Sequence, residues 1–271
     1  MNQYDNAQDV KTGYSPAHIV AMTVAAYSIF LFVRPFIRDL FNGRLNPGNG
    51  ILSSLILGYS WMSVPPVVLA IVLFGIRQAP RALGLVGSPM RGLVFGLVAT
   101  LPVLAYYGVT AGISTPFPLW YVALKSAAMP AFFEEILFRA CMFGFLFRFA
   151  RWGYLPAALF GAAVFGLGHI SQGNSALQAL AVFGFTAFGA LWFAWLYVEW
   201  AYNLWIPIAV HFFMNFYWSA FEISGTAAGN TEANILRALS ILLTIAITIY
   251  FAKRRGGLKI KGETWWRRNS G

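Results

Sequence analysis

Three short polar clusters interrupt an otherwise apolar sequence, and their residue types are those of water activation. The first is Glu134, Glu135 and Arg139, set among Phe132, Phe133, Ile136, Leu137 and Phe138. The second is His169, with Phe165, Gly166 and Gly168 before it; the third is His211 with Asn215. A carboxylate can take a proton from water, and an imidazole can hold or relay it. Imidazole and amide N–H groups can stabilise negative charge growing on a carbonyl oxygen. Together these residues outline a metal-free amide hydrolysis, with Glu134 and His169 on the water and His211 and Asn215 as oxyanion donors.

Spacing divides the first cluster. Glu135 and Arg139 are four apart with the acid N-terminal, the favourable order for an ion pair on one helix face. Glu134 points about 100° away on a regular helix, so Arg139 does not neutralise it automatically. Of nine acidic residues in the chain, Glu134 and Glu135 form the one adjacent pair. A charge within a membrane span costs about 2.5–3.5 kcal/mol on insertion scales, so an unpaired acid there calls for a function. For Glu135 and Arg139 a supporting ion pair is as good a reading as direct chemistry. Either histidine alone could simply join two helices by a hydrogen bond. His211 and Asn215, four apart, share a face and can aim at one point inside a bundle.

The elements that must position these residues are membrane helices. The 271-residue chain is 59% hydrophobic and 10% charged, against roughly 25% charged in an average soluble domain. Apolar runs able to cross a hydrocarbon layer of about 30 Å fall at residues 17–33, 51–76, 92–113, 119–147, 154–170, 176–198, 204–223 and 235–252. The expected fold is therefore an all-α, polytopic transmembrane bundle of about eight helices. It divides into a polar segment (1–16), N-terminal spans (17–113), a core carrying the three clusters (114–223), a last span (224–252) and a basic tail (253–271).

The net charge of +10 suits topology better than nucleic acid, because the basic residues sit in loops and the tail. Seven Lys and Arg between Lys253 and Arg268, interleaved with Trp265 and Trp266, suit an anionic bilayer surface. An even span count with a basic tail places both termini in the cytoplasm of a multi-pass cell-membrane protein. Arg77, Arg81, Arg91, Arg148 and Arg151 agree, whereas Arg38 and Arg44 dissent. The first span reads as a retained anchor. Cys141 is the single cysteine and reads as a packing residue. Lys125 and Glu222 read as interfacial groups.

Competing chemistries fit less well. Two histidines and a glutamate could ligate zinc, but HExxH is absent. Asp5, Asp9 and Asp39 lie outside the later spans, so no buried aspartate pair is available. Ser175 follows Gly173 and Asn174 without the glycine expected after a nucleophilic serine. No metal or other cofactor is expected. A different class, a proton-coupled transporter or a partner-binding scaffold or immunity protein, would also use intramembrane Glu and His, although no internal repeat supports a transporter.

The three clusters resemble, in order, the motifs of the CPBP family of intramembrane glutamic proteases, which includes the type II CAAX prenyl endopeptidases. Glu134, Glu135 and Arg139 look like EExxxR; Phe165 and His169 look like FxxxH; His211 and Asn215 look like HxxxN. All seven positions match, and the similarity covers residues 119–217. The resemblance implies an intramembrane endopeptidase in which Glu134 and His169 activate water and His211 and Asn215 form the oxyanion hole. Glu135, Arg139 and Phe165 then support them. Ala140, where many relatives carry glycine, touches no catalytic position. The expected substrate is a membrane-associated protein or peptide.

Overall fold

The structure, a computed structural model, describes residues 10–42 and 64–267. Among them eight helices longer than two turns follow in chain order, besides the single turn Ala79–Ala82. They are α1 (Pro16–Asn42), α2 (Val64–Phe74), α3 (Pro89–Thr110), α4 (119–148), α5 (Tyr154–Leu167), α6 (Ala176–Glu199), α7 (Trp205–Ala220) and α8 (Thr231–Lys253). The chain is the expected all-helical, polytopic bundle. Residues 51–63 of the second expected span, and Arg44 of the dissenting loop, lie outside the described residues.

Hydropathy finds the apolar middle of a helix, whereas polar caps set its ends. Ser88, Ser175 and Asn230 accept hydrogen bonds from the backbone N–H groups of Arg91, Gln178 and Ala233. Because Arg91 and Glu232 fall inside those first turns, α3 and α8 begin before the apolar windows at 92 and 235. Five helices are long and apolar enough to cross a membrane: Pro16–Val33, Pro89–Thr110, Tyr154–Gln172, Ala176–Glu199 and Thr231–Arg254. The two that carry Glu134 and His211 are not among them. Helix α4 holds too many charges, and α7, with 16 residues, spans only about 24 Å at 1.5 Å per residue.

Helix α4 is irregular where it matters. Two wide, π-helical stretches, Val122–Ala128 and Glu135–Phe143, flank a regular turn, Met129–Glu134. Pro130 contributes no N–H to the ladder, so the turn before it cannot close normally. The second stretch begins at Glu135, and wide turns leave a backbone carbonyl to be satisfied from outside the helix. The Tyr27 hydroxyl of α1 donates to the Leu137 carbonyl there.

Helix α7 lies close against α3 through Gly92 and Gly96. A methyl group on Gly92 would come within 2.2 Å of the Trp205 carbonyl oxygen, and one on Gly96 within 2.8 Å of the Ala209 backbone. Helix α8 is fixed to α6 by indole donors. Trp192 Nε1–H donates to Thr244 Oγ1 at 3.0 Å and Trp200 Nε1–H to Thr248 Oγ1 at 2.9 Å, both threonines fully buried.

The bundle has two chemically distinct ends. At one, Thr12 donates to the Leu73 carbonyl, Leu204 N–H to Gly84 and Asn203 to Ser88. The tail docks there too, since the buried Glu199 carboxylate accepts from the backbone N–H groups of Lys259 and Ile260, and Trp265 packs edge-on against Tyr154. Arg77, Arg81, Arg91, Arg148, Arg151 and the basic tail share this end. At the other, Ser114 N–H donates to the Ala220 carbonyl and Ala227 N–H to Gln172 Oε1. Both ends of the described chain thus reach the same, basic side.

Candidate active site

The first and third clusters meet between α4 and α7. Glu135, fully buried, places Oε1 2.8 Å from His211 Nδ1 and Oε2 3.1 Å from Arg139 Nε. A carboxylate accepts, so Nδ1–H of His211 is the donor in the first contact. The second is a charge contact, because the Arg139 Nε–H is not aligned on the oxygen. Glu134 Oε2 lies 4.0 Å from the other nitrogen of the same imidazole, Nε2. Two adjacent glutamates therefore address opposite edges of one histidine. The Glu134 side chain keeps 16% of its surface accessible, whereas that of Glu135 has none.

Arg139 explains the phenylalanine of the second cluster. Its guanidinium carbon lies 4.6 Å from the ring centre of Phe165 and 5.1 Å from that of Phe193, so π faces from α5 and α6 take the place of water around the cation. Phe165 then meets His169 ring to ring at 4.4 Å. Its carbonyl oxygen is 2.7 Å from His169 Nδ1. A carbonyl can only accept, so the Nδ1–H donates and the neutral ring presents Nε2 as its unprotonated nitrogen. His169 stands where α5 gives way to a tight turn, half-buried.

Among the described residues His169 makes no direct contact with Glu134, whose imidazole neighbour is His211. The second cluster joins the first through Phe165 and Arg139 instead. Asn215 follows His211 by one turn of α7, half-buried, and both line a cavity of about 580 Å³ between α6, α7, α8 and the 224–227 loop. Gly166 receives the ring of Phe183, 2.8 Å from where its Cβ would stand, so the glycine serves helix packing. Cys141 is fully buried with its thiol 3.5 Å from the Pro66 carbonyl. Lys125 donates to the Tyr121 hydroxyl at 2.6 Å on the exposed surface. Among the described residues no three His, Cys, Asp or Glu side chains are disposed to hold a metal ion.

Phe193 is a site residue that residue types did not reveal. It contacts both Arg139 and His211, the latter at 5.7 Å between ring centres, but in an apolar span it looks like any other phenylalanine. The single available signal was indirect: a buried arginine with one acid partner needs further company.

Comparison with known proteins bears on the same segment. Residues 115–217 match the family described as Type II CAAX prenyl endopeptidase Rce1-like. No curated protein and no solved structure matches the chain. The matched segment contains all seven motif residues, and its match supports the resemblance of that segment to the CPBP family of CAAX proteases.

Proposed function

We propose that this protein is an intramembrane, metal-independent endopeptidase that cleaves a membrane-associated protein or peptide. The observation that carries the reading is the seating of one imidazole, His211, between the carboxylates of Glu134 and Glu135 in the interior of a membrane bundle. Glu134, the more accessible of the two acids, takes a proton from water as the oxygen attacks the scissile carbonyl carbon. His169 Nε2 accepts a hydrogen bond from that water and orients it. The oxyanion is stabilised by the Asn215 amide and by Nε2–H of doubly protonated His211, whose Nδ1–H stays on Glu135. Glu134 then returns its proton to the amine leaving group.

The charged end supports a reading of orientation and partners. Its Lys and Arg side chains suit the cytoplasmic leaflet, which supports a reading with both termini on the cytoplasmic side of a cell membrane and the tail against anionic headgroups. The cavity beside His211 reaches the opposite, weakly charged loops, so in this orientation it opens away from the cytoplasm. A second cavity of about 500 Å³, lined by Leu93, Met129, Phe132, Phe133, Trp205 and Phe212, adjoins Glu134 in sequence and suits an apolar part of the substrate.

The test is proteolysis of membrane-tethered peptides by the detergent-purified protein, comparing it with Glu134→Gln and His169→Ala at matched folding. Loss of cleavage in both variants, undiminished by chelators in the parent, is the expected result. Cleavage that survives both substitutions overturns the assignment.

A further inference from the structure

Helix α8 lies beyond the matched segment and carries none of the three motifs, yet it sends Arg237 into the cavity that holds His211 and Asn215. The guanidinium is half-buried, with its carbon 4.6 Å from the ring centre of Trp218 and 5.1 Å from that of Phe185. One Nη2–H donates to the Ala227 carbonyl at 2.9 Å. Among the described residues no carboxylate pairs with it, and no Asp or Glu lines the cavity. A guanidinium has five N–H donors in a planar fork, and only one of them is engaged by a hydrogen bond from this side chain to the protein among the described residues, so the rest remain for a partner in the open cavity.

A partly desolvated guanidinium with no acidic partner among the described residues gains more from an anionic ligand than one in bulk water would. The aromatic shelf of Trp218 and Phe185 and the tether to Ala227 fix the fork in one orientation, which suits bidentate binding of a planar carboxylate. We propose that Arg237 is a substrate-recognition residue that binds a carboxylate of the peptide whose scissile carbonyl lies at His211 and Asn215. This rests on the protease reading of the site. At about 580 Å³ the cavity has the size of a small-ligand pocket, roughly 300–1,000 Å³, and admits a short chain end or side chain rather than a folded domain. Arg237 is the one Lys or Arg on the lining among the described residues, which fits a monoanion. The carboxylate can belong to the peptide's C-terminus or to an Asp or Glu side chain near the cleaved bond.

Binding separates this proposal from the protease reading, because it needs no turnover. The full-length protein bearing Glu134→Gln is titrated with N-acetylated Ala-Leu-Ile-Phe as the free acid and as the C-terminal amide. The same amide with Asp in place of Ile, and with Asn there, forms the side-chain arm. Fluorescence of Trp218 and Trp192 in the cavity serves as the readout. We expect one acid, terminal or side-chain, to bind about 10- to 100-fold more tightly than its neutral counterpart, the range of one hydrogen-bonded charge. Arg237→Gln should remove that preference, and Arg237→Lys, which retains charge and packing volume, should keep part of it. The arm that shows the preference identifies the source of the carboxylate. Equal binding of acids and neutral peptides, or a preference that survives Arg237→Gln in a protein folded like its parent, overturns the proposal. So does a fluorescence response to phosphatidylglycerol micelles alone, which would assign the cation to a lipid headgroup. If the acid preference holds but the parent protein cleaves nothing, the subsite stands and the protease reading falls.

Discussion

Glu135 Oε1 and His211 Nδ1, 76 positions apart in sequence, lie 2.8 Å from one another. The same carboxylate faces Arg139 at 3.1 Å, so one fully buried acid ties α4 to itself and to α7. In the proposed mechanism it sets the position and proton placement of His211. Glu134, next in sequence, stands at the accessible edge of the imidazole, where the proposed mechanism has it meet water and substrate.

Removing one member of this buried set should harm the fold more than removing two. Arg139→Leu leaves Glu135 without a cation and should destabilise by about 3–5 kcal/mol. Adding Glu135→Gln to Arg139→Leu should recover part of that loss, since the amide still bonds to His211 while carrying no charge. Thermal unfolding in detergent of the two single variants and the double variant closes the cycle. A double variant as unstable as the sum of the singles would show that the pair does not act as a unit.

Glu134→Gln is expected to do the opposite, sparing stability while lowering the cleavage rate by about 10²–10⁴-fold, the usual worth of a general base. Unfolding temperature and turnover measured on the same preparation distinguish the two glutamates. Equal loss of activity in Glu134→Gln and Glu135→Gln, with equal destabilisation, would mean that their division of labour is wrong.

That division was only half legible in the sequence. The i,i+4 spacing named Arg139 as the partner of Glu135, and the pair is found. Regular helical geometry then turned Glu134 away by about 100°, which hid the fact that both acids reach one histidine. The wide turn starting at Glu135 is not written in hydropathy; its signature is Pro130 several residues earlier, whose effect depends on how neighbouring helices fill the gap. The all-helical, polytopic class and the order of the helices among the described residues were readable because lipid demands long apolar runs. The association of α3 with α7 was not, although its signature, Gly92 and Gly96 four apart, lay in plain view within an apolar span. Arg237 was invisible for a different reason, since only the folded cavity shows that no acid among the described residues accompanies it.

Gly92→Ala and Gly96→Ala test the α3–α7 contact as a positioning device. Each added methyl meets backbone, at Trp205 and Ala209 respectively, which cannot rotate aside. Overpacking of this kind costs about 1–3 kcal/mol and should push α7 outward, carrying His211 and Asn215 from Glu134. Cleavage should fall in both variants although neither residue touches the site. Gly108→Ala, on the same helix with nothing within 4 Å of its Cβ, should be neutral by the same assay.

The orientation of the bundle can be settled without any substrate. Cys141 is the single cysteine, and it is fully buried, so a cysteine introduced on the surface is the one thiol open to a membrane-impermeant maleimide. Ser114 is exposed among the weakly charged loops, and Lys261 is exposed on the docked tail. If the basic end faces the cytoplasm, Ser114→Cys should react in intact cells, whereas Lys261→Cys should react only after permeabilisation. The reverse pattern would turn the molecule over and open the His211 cavity to the cytoplasm, which would change the pool of peptides able to reach Glu134.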